Sequence, residues 1–261
     1  MVVVSTSSTS LSCATRPEEI EQILSTLSRY DPETSVVLEE YVAKQCQEGT
    51  YDIMANLALL KLYLYKSDRE NPRVILQVLV KALTAFPSPD FSLCLHLLPP
   101  HVLQPVAATE KAKSRKYPDD DDDDEESSVL RIQKLAKLNQ LLESGRFAQF
   151  WVEHGNNSAD DKLAELDEIF REIPDFAESI RRGVVRAIAA SFSVIDAAVF
   201  QAWTALGPAE AAAYAASLGW TVDGDRVVVG EAKAAADKSK VVVSEQVRFE
   251  QLSRMIRRVY E

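Results

Sequence analysis

The sequence is poor in the residues from which most active sites and metal centres are built. Its 261 residues include three histidines, three cysteines and eight glycines. It contains no nucleophile elbow, zinc-protease motif or P-loop, and eight glycines are too few for a convincing phosphate cradle. The isolated His96, His101 and His154 form no metal-binding spacing and are interpreted as surface or core residues. The sequence therefore predicts a protein that is not an enzyme and that uses no cofactor and no metal.

Cysteines and long apolar runs are equally scarce. Cys13, Cys46 and Cys94 are odd in number and are never spaced as C-x-x-C, so neither a disulfide framework nor a zinc site is indicated. No run reaches the ~18 apolar residues of a membrane helix. The three valines after Met1 are too few for a secretory leader. We therefore expect a reducing, cytoplasmic setting without membrane attachment.

Negative charge is concentrated in one place. Eight of the 40 acidic residues form the run Asp119–Glu126, and without that run the formal net charge of −11 would be −3. We assign the run to an acidic insertion, residues 105–127, whose like charges repel one another and stay solvated. A tolerated surface insertion is favoured over a binding tail for a basic partner. The nearly neutral remainder offers no general phosphate-binding surface.

The chain is rich in the apolar spacing of packed helices. The stretch from residue 29 to 65 predicts two antiparallel helices, the first capped by Asp31 and ended by Gly49. Further helix starts near residues 71 and 88 give a pair period of about forty residues, as in HEAT-like hairpin repeats. Another helix is expected over Pro17–Ser28, and helices resume at Ser128. The second helix of the pair is expected to bury one stripe, Ile53, Leu57, Leu60 and Leu64, which Met54, Ala58 and Leu62 widen.

The pattern changes after Ala190. Ser193 is expected to cap one helix, and Ala209–Leu218 forms a second after a Gly-Pro turn. Two β-rich runs around Asp223-Gly224 then give a strong hairpin signal. Helix, helix and hairpin at this size predict a winged helix.

The predicted fold class is therefore mainly α, in five segments. They are a disordered tail (1–16), a helical-repeat, HEAT-analogous domain (17–190) with the acidic insertion, a winged-helix domain (191–230), a linker (231–243) and a C-terminal helix (244–261).

This winged helix lacks the cations that nucleic-acid recognition requires. Ala209–Leu218 contains no basic residue and includes Glu210, and the hairpin offers only Arg226. We therefore expect contacts with proteins rather than with DNA. A modest basic cluster on the preceding helix is interpreted as pairing with Glu178 within that helix: Arg181, Arg182 and Arg186.

The C-terminal helix is the candidate partner-binding site. Its apolar residues are spaced by three, four and three positions, which is the narrow seam of a coiled coil or bundle. Packing back on its own domain remains the alternative, but the polar linker favours a helix that reaches outward. The seam consists of Phe249, Leu252, Ile256 and Val259.

Eight short stretches, in order, resemble the subunit K family of eukaryotic translation initiation factor 3. The resemblance spans most of residues 20 to 260. The Ser/Thr-rich tail, the acidic insertion and the alanine-rich second helix of the winged-helix domain depart from it. The stretches are RYDPE (29–33), LEEYV (38–42), YDIMANLALLKLY (51–63), LVKALT (79–84), PDFSLC (89–94), FAQFW (147–151), FAESIR (176–181) and LGW (218–220).

The resemblance carries expectations about fold and function. It implies a HEAT-analogous domain followed by a winged helix related to the PCI domain. It also implies a non-catalytic scaffold subunit of initiation factor 3, with subunit L as nearest partner and the small ribosomal subunit contacted through the complex. The alternatives are a PCI-type subunit of the proteasome lid or signalosome, and a winged-helix nucleic-acid-binding protein.

Overall fold

Helices make up most of the structure, which confirms the predicted fold class. The computed structural model describes residues 16–65, 70–98, 122–156 and 163–229, with side chains from residue 127 onward in the third range. In this part of the chain the helices are α1 (Glu18–Ser25), α2 (Ser35–Glu48), α3 (Ile53–Tyr65), α4 (Pro72–Thr84), α5 (Asp90–His96), α6 (Asp122–Glu143), α7 (Phe147–Gly155), α8 (Ala164–Glu172), α9 (Phe176–Ser191), α10 (Ala197–Thr204) and α11 (Pro208–Ser217). Two 3₁₀ turns, Leu27–Tyr30 and Pro32–Thr34, join α1 to α2.

The helical stack, α1–α9, is centred on α4. This helix packs against α2 and α3, which precede it in the chain, and against α5, α6, α8 and α9, which follow it. Nine of its thirteen side chains are buried, because aliphatic residues occupy nearly every position around the helix. A helix that is apolar all round is stable only when neighbours cover every face. The core of the stack therefore surrounds α4.

The ends of α2 follow the sequence signals in part. Gly49 has φ of 69° at the C-cap, the left-handed conformation expected for a glycine there. The carboxylate of Asp31 accepts a hydrogen bond from the Glu33 amide at 3.0 Å, but this cap begins a 3₁₀ turn. The α-helix itself starts at Ser35. Likewise α1 ends at Ser25 rather than at the expected Ser28.

The buried face of α3 differs from the predicted stripe. Ala58, Leu60 and Leu62 are buried as expected, whereas Leu64 is exposed and Ile53, Met54 and Leu57 are only partly covered. The prediction was wrong in part because it considered apolar residues alone, and the polar Asn56 is also buried. The buried face of α3 consists of Ala55, Asn56, Ala58, Leu59, Leu60, Leu62 and Tyr63.

A buried polar network explains why Asn56 faces inward. Its side-chain oxygen accepts a hydrogen bond from Gln45 Nε2 at 3.0 Å, and Gln45 Oε1 accepts one from the Asp52 amide at 2.8 Å. The Asp52 carboxylate in turn receives two bonds from the Arg16 guanidinium, at 2.6 and 2.9 Å. Lys81 of α4 donates to the Gln45 carbonyl at 3.2 Å, and burial lowers the pKa of its ammonium group. These bonds join α2, α3 and α4, because buried polar groups need partners.

α6 begins at Asp122, inside the segment assigned to the acidic insertion and six residues before the expected start. Acidic residues favour the first turn of a helix, since its free N–H groups carry partial positive charge. The rest of the acidic insertion, up to residue 121, lies outside the described residues. No helix in the described ranges is long and apolar enough to span a bilayer.

The winged-helix domain contains a strand that the sequence did not predict. β1 (Val194–Asp196) occupies the place where Ser193 was expected to cap a helix. It pairs antiparallel with β3 (Arg226–Val228), which also pairs with β2 (Thr221–Asp223), giving the order β1-β3-β2. Three residues are too short for an alternating pattern to reveal a strand, so the signal was missed.

Candidate protein interface

The predicted seam of the C-terminal helix lies outside the described residues. Phe249, Leu252, Ile256 and Val259 therefore remain a prediction from spacing. The structure describes the winged helix up to residue 229, and its surfaces are described next.

The hairpin of the winged helix is held by one turn and one aromatic contact. Asp223 pairs with Arg226, so the turn residues are Gly224 and Asp225, and Gly224 has φ of 58°. A positive φ at the first turn residue is typical of a type II′ hairpin, for which glycine is preferred. Behind the sheet, the Trp220 and Phe200 rings pack with centroids 5.8 Å apart. The predicted hairpin is confirmed.

α11 occupies the position at which a DNA-binding winged helix presents its recognition helix. Only two of its ten residues, Ala211 and Ala215, are fully buried. Its exposed side chains are alanines together with Pro208, Glu210 and Ser217, and the helix carries no basic residue. Such a surface offers no cation to a phosphate and no long donor to a base edge.

The outer face of the sheet combines apolar and paired charged residues. Val194, Val228 and Thr221 lie side by side across the three strands, since directly paired residues share a face. All three are exposed. The next row places Arg226 between Asp196 and Asp223. This face has the composition of a protein contact: an apolar centre beside complementary charges.

The winged helix is fixed to the helical stack by three side-chain hydrogen bonds. Trp151 Nε1 of α7 donates to the Trp203 carbonyl at 2.8 Å, and Arg181 Nε of α9 donates to the Thr204 carbonyl at 2.9 Å. The Tyr214 hydroxyl of α11 donates to Glu178 at 3.0 Å. We call these bonds the junction. The bonds from Trp151 and Arg181 satisfy carbonyls at the C-terminal end of α10, where no further helical N–H is available.

The predicted basic cluster is divided between several roles. Arg181 does pair with Glu178, at 3.8 Å, and its guanidinium also lies over the Trp151 ring at 5.4 Å. Arg182 donates instead to the Ser179 hydroxyl at 3.0 Å. Arg181 is thus committed to the junction. Sequence reasoning missed this role because a bond to a backbone carbonyl of another element leaves no sequence signal.

His154 lies in an aromatic box beside the junction. Its ring packs against Phe170 and Phe176 at centroid distances of 4.7 and 5.4 Å, and is stacked on Phe150 at 6.1 Å. Burial lowers the pKa of the imidazole, and Nδ1 is buried without a hydrogen-bond partner. The residue borders a cleft of about 510 Å³ between α7, α8 and α9. The interpretation of a core histidine fits this position.

His96 has a partner within its own helix, and Cys46 and Cys94 are buried free thiols. His96 Nδ1 lies 2.6 Å from the Ser92 carbonyl, one turn earlier in α5. Burial raises the pKa of Cys46 to about 11 and that of Cys94 to about 12, so both thiols are protonated and unreactive at neutral pH. Across the described ranges no group of three or more histidine, cysteine or acidic side chains is placed to hold a metal ion.

Comparison with known proteins assigns the chain to a family. The family model described as the CSN8/PSMD8/EIF3K family matches residues 69–241. The chain belongs to the CSN8/PSMD8/EIF3K family. The eukaryotic translation initiation factor 3 subunit K of Sclerotinia sclerotiorum is 42% identical over 247 residues, covering 94% of this chain and 95% of that protein. That of Neosartorya fischeri is 40% identical over 257 residues, covering 95% and 96%, and that of Phaeosphaeria nodorum is 37% identical over 247 residues, covering 94% and 95%.

These relatives confirm the resemblance to subunit K that the eight sequence stretches carried. The range matched by the CSN8/PSMD8/EIF3K model begins just before α4 and includes the junction and the whole sheet. It ends at residue 241, before the first seam residue, Phe249. The family match therefore covers the residues that form the junction and the sheet, whereas the C-terminal seam lies outside it and depends on sequence spacing.

Proposed function

We propose that this protein is a non-catalytic scaffold subunit of eukaryotic translation initiation factor 3. The observation that carries the proposal is the similarity to subunit K proteins over nearly the whole chain. The composition of α11 supports it, because a winged helix without basic residues is suited to protein contacts. The proposed mechanism is the presentation of surfaces in a fixed arrangement, with no cofactor, no metal and no covalent step.

The sister subunits are the proposed partners, with subunit L as the nearest. The sheet face of Val194, Val228 and Thr221 is one proposed contact, and the C-terminal seam is the other. The small ribosomal subunit is reached through the assembled complex. The protein performs this scaffold function in the cytoplasm, without direct contact with DNA or with a membrane.

The experiment that tests the proposal targets the seam. Leu252→Asp with Ile256→Asp introduces two charges into an apolar interface, at a cost of several kcal/mol if the seam is buried. We expect the isolated double variant to keep its thermal midpoint and to lose co-purification with the sister subunits. A matched control, Gln251→Asp with Ser253→Asp, adds the same two charges beside the seam and should still assemble.

Two outcomes would contradict the proposed seam. Unfolding of the isolated double variant would mean that the helix packs on its own domain. A variant that stays folded and still assembles would move the interface elsewhere.

Two other readings are distinguished by separate measurements. The family description also names CSN8 and PSMD8, so purification of the tagged protein from cells should yield initiation factor 3 subunits and not the proteasome lid or signalosome. A mobility shift of RNA or DNA that weakens steeply with salt would instead favour a nucleic-acid-binding winged helix.

A further inference from the structure

Four large side chains left exposed near the start of the helical stack lie where α3 meets the first 3₁₀ turn. Leu27 and Tyr65 are 85% and 66% exposed, and Tyr30 and Leu64 are 48% and 42% exposed. Leu27 and Tyr30 are the first and last residues of the turn Leu27–Tyr30. Residues three apart in a 3₁₀ helix are eclipsed, so both side chains lie on one face.

Tyr30 joins this turn to the exposed face of α3. The Lys61 ammonium lies 5.3 Å from the centroid of the Tyr30 ring, and the Arg29 guanidinium lies 5.4 Å from it. Leu64 and Tyr65 follow Lys61 by three and four residues on α3, so they are its neighbours on the helix surface. We call this continuous surface the Tyr30 patch: Leu27, Arg29, Tyr30, Lys61, Leu64 and Tyr65.

The Tyr30 patch has the composition of a binding site. Large exposed side chains, tyrosine and arginine in particular, carry most of the energy of protein interfaces. The carboxylate nearest in sequence, Asp31, accepts the Glu33 amide at 3.0 Å and so caps the backbone. Asp31 keeps its negative charge, but neither Arg29 nor Lys61 forms an ion pair with a carboxylate of the described residues, so the two cations over Tyr30 give the patch a positive centre within an apolar surface.

We infer that the Tyr30 patch binds an acidic amphipathic segment of another protein, whose apolar side chains cover Leu27, Tyr30, Leu64 and Tyr65 and whose carboxylates meet Arg29 and Lys61. Charge decides between the possible occupants. A second copy docked through the same patch would bring like charges together, the acidic run Asp119–Glu126 contains no apolar residue, and residues 1–15 contain no acidic residue. This interface is additional to the contacts proposed for the winged helix, because it is built on the first 3₁₀ turn and α3, whereas the winged helix packs on α7 and α9.

Site-specific photo-cross-linking in cells tests the inference with the full chain. A benzophenone amino acid replaces Tyr65, and the matched control replaces Val152, which is equally exposed at 65% but lies on α7. We expect the Tyr65 probe to label a segment of another protein that is rich in carboxylates and has an apolar face. Arg29→Glu with Lys61→Glu should abolish the labelling, whereas Arg29→Lys with Lys61→Arg should retain it.

A synthetic peptide of the labelled segment then gives a quantitative check. Its affinity for the full chain should fall about tenfold with Tyr30→Ala, a typical loss for an interface hot spot, and should weaken with salt. The thermal midpoint of each variant reports folding and should not change, because all six side chains are at least partly exposed. Labelling of residues 1–15, of a second copy or of a basic or uncharged segment would overturn the inference. So would labelling no stronger than that from Val152.

Discussion

α4 and α11 show how differently the two regions of this protein are held together. Nine of the thirteen α4 residues are buried, and most of them are large aliphatics. Only two of the ten α11 residues are buried, and both are alanines. The helical stack is thus stabilised by the volume of its core. The winged helix depends on a few aromatic rings, one turn and the junction.

The largest expected effect is the loss of volume beside α4. Leu79 is completely buried in that helix. Leu79→Ala should lower the free energy of unfolding by about 2–5 kcal/mol, because the cavity cannot be filled by rigid neighbouring helices. Chemical denaturation of the variant and of the unchanged protein measures this difference in the free energy of unfolding.

Leu93→Ala is the matched control, since Leu93 is about half exposed on α5. It should change the free energy of unfolding by less than about 0.5 kcal/mol, as expected for a surface site. Equal losses in the two variants would contradict the picture of a core centred on α4.

The next effect concerns backbone geometry in the winged helix. Gly224→Val places a β-branched residue at φ of 58°, and the strain should cost roughly 1–3 kcal/mol. A Cβ at this position meets no other atom within 4 Å, so the cost would come from the backbone alone. Hydrogen exchange of the β3 amides should accelerate more than that of α4.

Asp225→Ala, at the adjacent turn residue, is the control and should leave β3 exchange close to that of the unchanged protein. If Gly224→Val left the unfolding midpoint and β3 exchange unaltered, the turn would not be a determinant of the domain.

A smaller effect should appear as pH dependence at the boundary between the two regions. Burial holds the pKa of His154 below its usual value of 6.5, so the unfolded chain takes up a proton before the folded chain does. Stability should therefore fall as the pH drops below 6.5, and this group should have no influence at higher pH. His154→Phe keeps a ring in the aromatic box and should remove that part of the dependence.

Thermal midpoints of the two proteins, compared across this pH range, measure the difference. Parallel curves would contradict the prediction, because they would mean that the pKa of His154 is the same in the folded and unfolded states.

The smallest expected effect is that of the acidic insertion. Deleting residues 107–121 should leave the thermal midpoint within about 2 °C, because the sequence has no apolar stripe to bury. Extending the deletion to residue 126 also removes the first turn of α6 and its favourable acidic residues, so it should cost more. A drop of ten degrees from the shorter deletion would mean that the segment packs on the core.

Sequence reasoning predicted those parts of the fold that depend on long periodic patterns. The wide apolar face of α4 spans thirteen residues, and Gly49 and Gly224 both have the positive φ that their positions require. β1 was missed because three residues cannot establish an alternation. The face of α3 was misassigned because Asn56 is buried by a bond to Gln45, a partner eleven residues away.

The candidate interface was less accessible to prediction than the fold. The absence of basic residues in this segment could be read directly from the sequence, and the structure shows that the segment is a helix with only two buried residues. The use of Arg181 in the junction could not, because its acceptor is a backbone carbonyl. The Tyr30 patch depends on how a 3₁₀ turn lies against α3, and the aromatic residue alone gave no indication of it.

The junction has a consequence for the geometry of a large assembly. Because Trp151, Arg181 and Tyr214 tie the winged helix to two separate helices, its tilt is set within the chain itself. A rotation at the junction would therefore displace parts of the helical stack in proportion to their distance from it. α6 has 22 residues and is about 33 Å long, so a tilt of about 5° would move its far end by about 3 Å. The three hydrogen bonds of the junction, together with the packing of α10 on α7 and α9, thus set the angle at which the winged helix and the helical stack are presented to a neighbour.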